Sequence, residues 1–402
     1  MPSRRTFLAT FGVSASSVAL AGCNAATEIT ADDPPKPGVD EIPDPDNHLA
    51  GANGEWSSFG CNAANTRAVW DGKAPVDGVE ERWRVEVPQL TNQAPIVAGG
   101  RVYQSIRYEL EVYDAKDGSE LWTKDETSTT PLVREGTVYL GFGNTLRALD
   151  AETGEPEWET EFTEQDFVRT PTMYSGDWLY VPADETMHRV DVETGEVDWS
   201  RRLFGELLGS PAVYAGHYLA VASQAGKLYL IDFEGTGHGE WNLPSRPDVP
   251  TTAGRENVYV SCFDGTTWGI SFGQAPHRDV ALKAEIPGTN GGLAVKEHLY
   301  AAGSDGLQAL DTDTGEQVWQ QDIGDWSGTA PAIGRDTLFV GGDKLYAFDP
   351  TPKGLDAGGS SPAKRFEKSF HGRVGPGPVL DDGVLYVIAQ TGESSFHLLA
   401  LE

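Results

Sequence analysis

The phrase Leu149-Asp150-Ala151-Glu152-Thr153-Gly154-Glu155, followed by Trp158, returns in altered forms along the chain at intervals of about forty residues. A period of that length marks one supersecondary unit copied many times. Each copy reads as a short strand after a proline, a strand such as Thr137-Val138-Tyr139-Leu140-Gly141, a strand ending in Asp, a tight Thr-Gly turn, and a strand with Trp near its start. Four short antiparallel strands per unit describe a propeller blade, so the chain is all-β.

Leading prolines at Pro95, Pro131, Pro171, Pro211, Pro250, Pro331 and Pro378, with a degenerate start near Gly292, count eight blades. Asp and Trp stand eight residues apart in Asp114/Trp122, Asp150/Trp158, Asp191/Trp199 and Asp311/Trp319. Blade four stretches this by one, Asp232 to Trp241, and blade five keeps neither residue. Blade seven replaces its turn with the loop Pro350 to Ala363 and puts Phe366 where Trp would stand. The last unit stops at Glu402 after its third strand, while an orphan strand, Glu81 to Val87, precedes the first unit with Trp83 in the Trp position. The chain is therefore expected to form an eight-bladed β-propeller of four-stranded antiparallel blades, closed by strand 81–87. Closure removes unpaired sheet edges.

The repeated residues have local reasons to recur. Asp at a strand end can accept hydrogen bonds from the turn that follows, and Gly154, Gly195 or Gly315 can take a positive φ. Trp83, Trp122, Trp158, Trp199, Trp241 and Trp319 read as blade-docking residues, each a large apolar body with an N–H to place.

These units, Ala148 to Gly154 with Trp158 and Ala309-Leu310-Asp311 through Trp319, resemble the tryptophan-docking repeats of the pyrroloquinoline quinone (PQQ) propeller family. The opening Trp56-Ser57-Ser58-Phe59-Gly60 with Asn65-Thr66 is similar to the segment leading into such propellers. The resemblance spans about Trp56 to Glu402. It implies the fold, and it implies two functions equally, since the repeat serves quinoprotein dehydrogenases and cofactor-free BamB-like lipoproteins alike.

Ser3-Arg4-Arg5-Thr6-Phe7-Leu8 has the twin-arginine export pattern, and Leu20-Ala21-Gly22-Cys23 matches a lipobox, so residues 1–22 read as a signal peptide and Cys23 as the lipid attachment site. Residues 23–55 carry Pro34, Pro35, Pro37, Pro43 and Pro45 among Asp32, Asp33, Asp40, Glu41, Asp44 and Asp46, with little to build a core. They read as an acidic, extended tether holding the propeller of 56–402 off the outer face of the cytoplasmic membrane. Sixty-one acidic residues stand against 30 basic ones, a formal charge of −31. Such self-repulsion is relieved in molar salt, where the Debye length falls to about 3 Å. The composition points to a salt-adapted, archaeal host and excludes a nucleic-acid partner, whose phosphates would be repelled.

Catalytic patterns are scarce. The eight His are scattered, and no His-Glu-x-x-His, Cys-x-x-Cys or Gly-x-Ser-x-Gly occurs. Asp311-Thr312-Asp313 lacks the later ligands of a calcium loop, so no metal site is expected. The resemblance implies an adjacent Cys-Cys pair beside a bound quinone; this chain has only Cys23, Cys61 and Cys262. Whether Cys61 and Cys262 pair is left open. No cofactor is expected, with PQQ and calcium kept for the alternative reading.

In a propeller, the stretches leading into the innermost strands ring one mouth of the central channel and escape the packing constraints of the blades. Here they supply Asn92, Phe167, Arg169, Arg246, Asn290, Trp326 and Arg373. In a chain short of basic residues, three arginines at comparable positions stand out. They read as a mouth for an anionic or peptide ligand with Phe167 and Trp326 as anchors, or else as ion-pair partners of Asp166, Asp248 and Asp325. The resulting expectation is a monomeric, noncatalytic, lipid-anchored propeller that binds a protein or peptide at that mouth. The alternatives are a PQQ-dependent dehydrogenase or related redox enzyme, and a passive structural component of the cell surface.

Overall fold

The computed structural model describes residues 55–69, 73–174, 176–272, 279–286, 292–326, 328–350 and 361–402. The signal sequence, Cys23, most of the tether, Asn290 and most of the loop 350–363 lie outside the described residues. Those described contain no helix, and none is available to cross a membrane. They form eight sheets, each containing a blade of four antiparallel strands, in chain order in the first seven blades, as the repeat predicts.

Blade two shows why the sequence folds this way. Its strands are Leu132–Arg134, Thr137–Phe142, Thr145–Asp150 and Pro156–Glu161. The middle strands lie between neighbouring blades and place Val138, Leu140, Leu146 and Leu149 fully out of water. The outer strand alternates, turning Trp158 inward and leaving Glu157, Glu159 and Glu161 exposed. Period-two alternation is the mark of a half-buried strand, and charges along an outer edge discourage pairing with other chains.

The ring closes as expected. Glu81–Val87 pairs antiparallel with Phe396–Leu401, Trp83 opposite Ala400, to complete blade eight. Beyond the ladder, the Glu80 and Glu402 amides each donate to the other's carbonyl, at 2.8 and 2.9 Å.

Tryptophan docking follows one geometry. The indole N–H of Trp83, Trp122, Trp158 and Trp199 donates to the carbonyl of Ala115, Ala151, Val192 and Phe233, respectively, each just after the Asp position of the next blade. Beneath each ring lies that blade's turn glycine. A Cβ on Gly195 would stand 2.6 Å from the Trp158 ring, and one on Gly154 2.7 Å from Trp122. The same glycines have φ of 72° and 73°, so they meet two demands at once. The Asp side chains bind the turn as read: Asp150 Oδ1 accepts from the amides of Glu152 and Thr153 and from the Thr153 hydroxyl at 3.0, 2.7 and 2.8 Å. Asp311 does the same with Asp313 and Thr314, which is a turn and not a calcium loop.

Trp241 departs from the expectation. In regular blades the docking residue pairs with the position two before Asp, as Trp158 does with Ala148. In blade four that position, Leu230, faces Gly239, and Trp241 faces Leu228 two residues further along. The turn of blade four is one residue shorter, with Gly235 three after Asp232 where Gly154 is four after Asp150, and Trp241 stands one residue further from Asp232. The indole therefore lies two positions beyond the docking register, half-buried at the edge of its core cluster. Elsewhere the position is filled differently. Leu282 occupies it in blade five, with its Cγ 2.7 Å from where a Gly315 Cβ would stand, and Phe366 occupies it in blade seven. Trp319 keeps the register and is buried, with an indole N–H unpaired among the described residues.

The largest surprise is the segment Trp56 to Val69, expected merely to lead in. It fills the channel. Its carbonyls accept from the innermost strands nearly in blade order: Trp56 from Val97, Ser57 from Val133, Ala63 from Val213, Ala64 from Ala253, Thr66 from Val295 and Arg67 from Ile333. Ala68–Val69 then adds a parallel fifth strand to blade seven beside Ala332–Gly334. Asn62 braces the coil internally, its carbonyl oxygen accepting from the Ala64 and Thr66 amides and its amide donating to the Thr66 hydroxyl at 2.6 Å.

Candidate functional site

Strand alternation gives the ring two faces. One carries the loops into the innermost strands together with the hairpins between second and third strands; the other carries the Asp-Thr-Gly turns. On the first face the two loop types bond to each other: the Phe263 amide donates to the Arg246 carbonyl, and the Arg169 amide to the Pro182 carbonyl. This is the mouth named from sequence.

Three arginines at that mouth share one arrangement. Arg169 lies over the Phe167 ring at 4.9 Å, Arg246 over Phe263 at 4.5 Å, and Arg373 over Trp326 at 4.7 Å. Phe167 and Phe263 are 43% and 66% exposed, and Arg246 and Arg373 are themselves exposed, whereas Arg169 is half-buried. None forms an ion pair with Asp166, Asp248 or Asp325. Asp166 accepts instead from the Thr163 amide in its own turn, and Arg169 pairs with Glu206. Arg246 and Arg373 have no carboxylate within ion-pair distance among the described residues. A guanidinium stacked on a ring can keep its N–H edge free for a bidentate hold on a carboxylate.

Sequence reasoning missed half of this surface. Phe263 comes from a strand-to-strand hairpin, and so does Tyr108, 69% exposed and edge-on to Phe142 at 6.2 Å. Phe204 adds another exposed ring on the loop into blade four. Hairpin tips carry no repeat signature, so only their exposure reveals them. Asn92 is exposed on the loop into blade one and forms part of none of the three stacks.

Beneath the mouth, the channel-filling segment ends in Arg67. Its Nε donates to the Pro331 carbonyl at 2.8 Å and its Nη2 to Pro378 at 3.3 Å, joining blades seven and eight, and its Cζ lies 4.9 Å above the Trp56 ring. Burial pulls this guanidinium down to about 10. A Cβ on Gly377 would meet Nη2 at 2.8 Å, so blade eight is cut back there to admit the cation.

The other titratable groups read as structural. Cys61 and Cys262 are buried and not joined by a disulfide, and burial pushes the Cys262 thiol up to about 12, far from a nucleophile. His188 lies against Phe162 at 4.4 Å with Nδ1 bonded to the Ser200 hydroxyl at 2.8 Å, and burial pulls it down to about 4. Between pH 6.5 and 4 the unfolded chain takes up a proton that the folded one refuses. Stability is therefore full above pH 6.5 and falls as pH drops towards 4, by about 3 kcal/mol at most. Urea unfolding at pH 7 and pH 4.5 should show that loss in the natural protein and a smaller one in His188→Gln. The turn aspartates contribute separately. Bonds from the Thr153 and Thr194 hydroxyls and amides hold Asp150 and Asp191 below the usual carboxylate range, so their share is lost only in stronger acid.

The family model described as outer membrane protein assembly factor BamB matches residues 76–172, 167–265, 256–356 and 303–402. No curated protein matches the chain. Among solved structures, BamB from Moraxella catarrhalis superposes with a TM-score of 0.61 at 16% identity, over 80% of this chain and 97% of that one. The quinohemoprotein alcohol dehydrogenase of Comamonas testosteroni gives 0.62 at 13%, over 88% of this chain and 81% of that one. A computationally designed protein, Ika8, gives 0.60 at 15%, over 80% and 99%. At such identities the superpositions speak for the fold alone. The family matches, by contrast, run from residue 76 to the end and coincide with the eight docked blades. The chain belongs to the PQQ-repeat propeller family whose model carries the BamB description.

Proposed function

We propose that this chain is an exported, lipid-anchored, noncatalytic propeller that captures a partner protein by laying an acidic segment of it across the mouth. The observation that carries the reading is the set of three arginines stacked on aromatic platforms, two of them without a carboxylate among the described residues. In a chain of net charge −31, a cation left unneutralised on a rigid ring is a site awaiting an anion. Anchoring through Cys23 and the acidic tether would place it at the outer face of the cytoplasmic membrane. The family description names an outer membrane assembly factor. An archaeal host has no outer membrane, so what carries over is the plan of a partner-binding propeller and not that task.

The quinoprotein reading rests on fold likeness, and the residues present do not fit it. The channel is filled between the inner strands by Trp56 to Val69, and among the described residues no group of His, Cys, Asp or Glu could hold the calcium. Cys61 and Cys262 are far apart in sequence, and neither is bonded to the other.

The test uses fluorescein-labelled Glu-rich, Gln-rich and Lys-rich peptides and fluorescence anisotropy in molar salt. The Glu-rich peptide should bind best. Arg246→Ala with Arg373→Ala should weaken it about 10- to 100-fold, in line with 1–3 kcal/mol of lost contact, without changing the unfolding midpoint. Equal binding of Glu-rich and Gln-rich peptides, or full binding by the double variant, would remove the proposal. Saturable PQQ and calcium uptake with turnover of alcohols would replace it with the enzyme.

A further inference from the structure

Exposed aromatic rings are not scattered over this propeller. Four aromatic side chains are exposed among the described residues, Tyr108, Phe167, Phe204 and Phe263, and all four lie on the mouth face. The exposed aliphatic ones, Leu121, Val197 and Val280, sit near the start of outer strands, at the opposite face.

Contacts join the rings blade by blade. Tyr108 of blade one lies edge-on to Phe142 of blade two at 6.2 Å. The Val168 amide, next to Phe167, donates at 2.7 Å to the carbonyl of Gly143, next to Phe142. Arg169, stacked on Phe167, pairs with Glu206, two residues beyond Phe204. From there the Gln224 amide donates to the Glu206 carbonyl, and the Leu243 amide to the Gly226 carbonyl, both at 2.8 Å. That last bond brings in the loop of Arg246, which lies over Phe263. A track of rings therefore runs over blades one to five. The backbone under it is fixed: the Ser223 hydroxyl, for one, donates to the Phe204 carbonyl at 2.9 Å. Rigid exposed rings gathered on one face mark a contact surface, since they lose little freedom when covered.

The blade-one end carries a second signal. Arg107 and Tyr108 form the two-residue turn between Arg101–Ile106 and Glu109–Asp114, and Arg107 has a φ of 58°. Blade two puts Gly143 in the same turn at 56°. Side chains are disfavoured in that region, and strain of this kind gathers where a residue is kept for function. The Arg107 guanidinium is exposed and forms no ion pair among the described residues, so its own surroundings supply no reason for it. We propose that the track binds an acidic segment of the partner that carries aromatic or large aliphatic side chains between its carboxylates. The carboxylates meet Arg107 and Arg246, and the apolar side chains cover the rings. This rests on the acidic-partner reading and names the kind of segment that reading leaves open.

The experiment is fluorescence anisotropy of the full chain in molar salt with two labelled peptides, one of Glu-Ser repeats and one with every second Ser replaced by Phe. The Phe peptide should bind the natural protein about 10-fold tighter or more. Tyr108→Ser with Phe204→Ser should cut that gain to about threefold or less. The same variant should leave Glu-Ser binding unchanged, because neither ring lies under an arginine. Tyr108→Ser alone, at a position 69% exposed, serves if the double variant fails to fold. Arg107→Gly should weaken both peptides while its thermal midpoint does not fall, since glycine accepts the positive φ. Equal affinity for the two peptides, a Phe gain that survives the ring variants, or full binding by Arg107→Gly would overturn the track and leave the acidic reading standing. Binding of neither peptide would remove both.

Discussion

Replacing Gly60 by alanine is expected to drive residues 56–69 out of the channel and to cost about 4 kcal/mol or more, a loss reserved for severe backbone conflict. A Cβ at this position would lie 2.2 Å from the Asn65 Cα and 2.8 Å from its carbonyl carbon. Both are main-chain atoms of a loop already held tight, with Arg67 donating its amide to the Gly60 carbonyl at 2.9 Å and φ positive at Cys61, Asn65 and Arg67. No side chain can swing aside to make room. Relief requires the loop to open, and with it go the bonds to the inner strands of six blades. Cys61 reports the event, being fully buried in the natural protein. Its labelling by a thiol reagent under native conditions should rise sharply in Gly60→Ala. A variant with unchanged labelling and an unchanged urea midpoint would show that the segment is not the clasp described here.

The second large effect separates two tryptophans that look alike in sequence. Trp158→Ala should destabilise by about 3–5 kcal/mol, since it empties the space over Gly195 and orphans the Val192 carbonyl. Trp241→Ala should cost about 1–2 kcal/mol, because its indole is half-buried and makes no hydrogen bond among the described residues. Denaturant midpoints measured side by side decide this. Equal losses would mean that Trp241 docks its blade as firmly as Trp158 does, whatever its register.

These contrasts show where the residues spoke plainly and where they did not. Strand count, blade order and closure by 81–87 were legible because each rests on a signal repeated many times. Trp241 was misread because spacing along the chain does not reveal the length of the turn. In blade four the bulge lies where the regular blades have theirs, and a turn shorter by one residue places Gly239 at the dock. The channel-filling segment was legible as a resemblance but not as a structure, since Trp56 to Val69 has no period and its carbonyl bonds involve no side-chain pattern. The arginines stood out because 30 basic residues face 61 acidic ones in this chain. Their aromatic partners did not, because Phe263 and Tyr108 lie on hairpins whose identity the blade leaves unconstrained. Asn290 and Cys23 lie outside the described residues.

The position of Trp56 to Val69 also sets an order of events. A ribosome delivers these residues before every strand they bond to, up to Ile333 in blade seven, and the strand that seals the ring pairs with Phe396–Leu401. The nascent chain must therefore carry its central mandrel unpaired while seven blades are made around it, and the last blade stays one strand short until Phe396–Leu401 is made. Contacts this distant in sequence make folding slow and leave strand edges open meanwhile. A chain stopped anywhere short of blade eight should gain little of the final cooperativity, so the native propeller comes together late and nearly all at once.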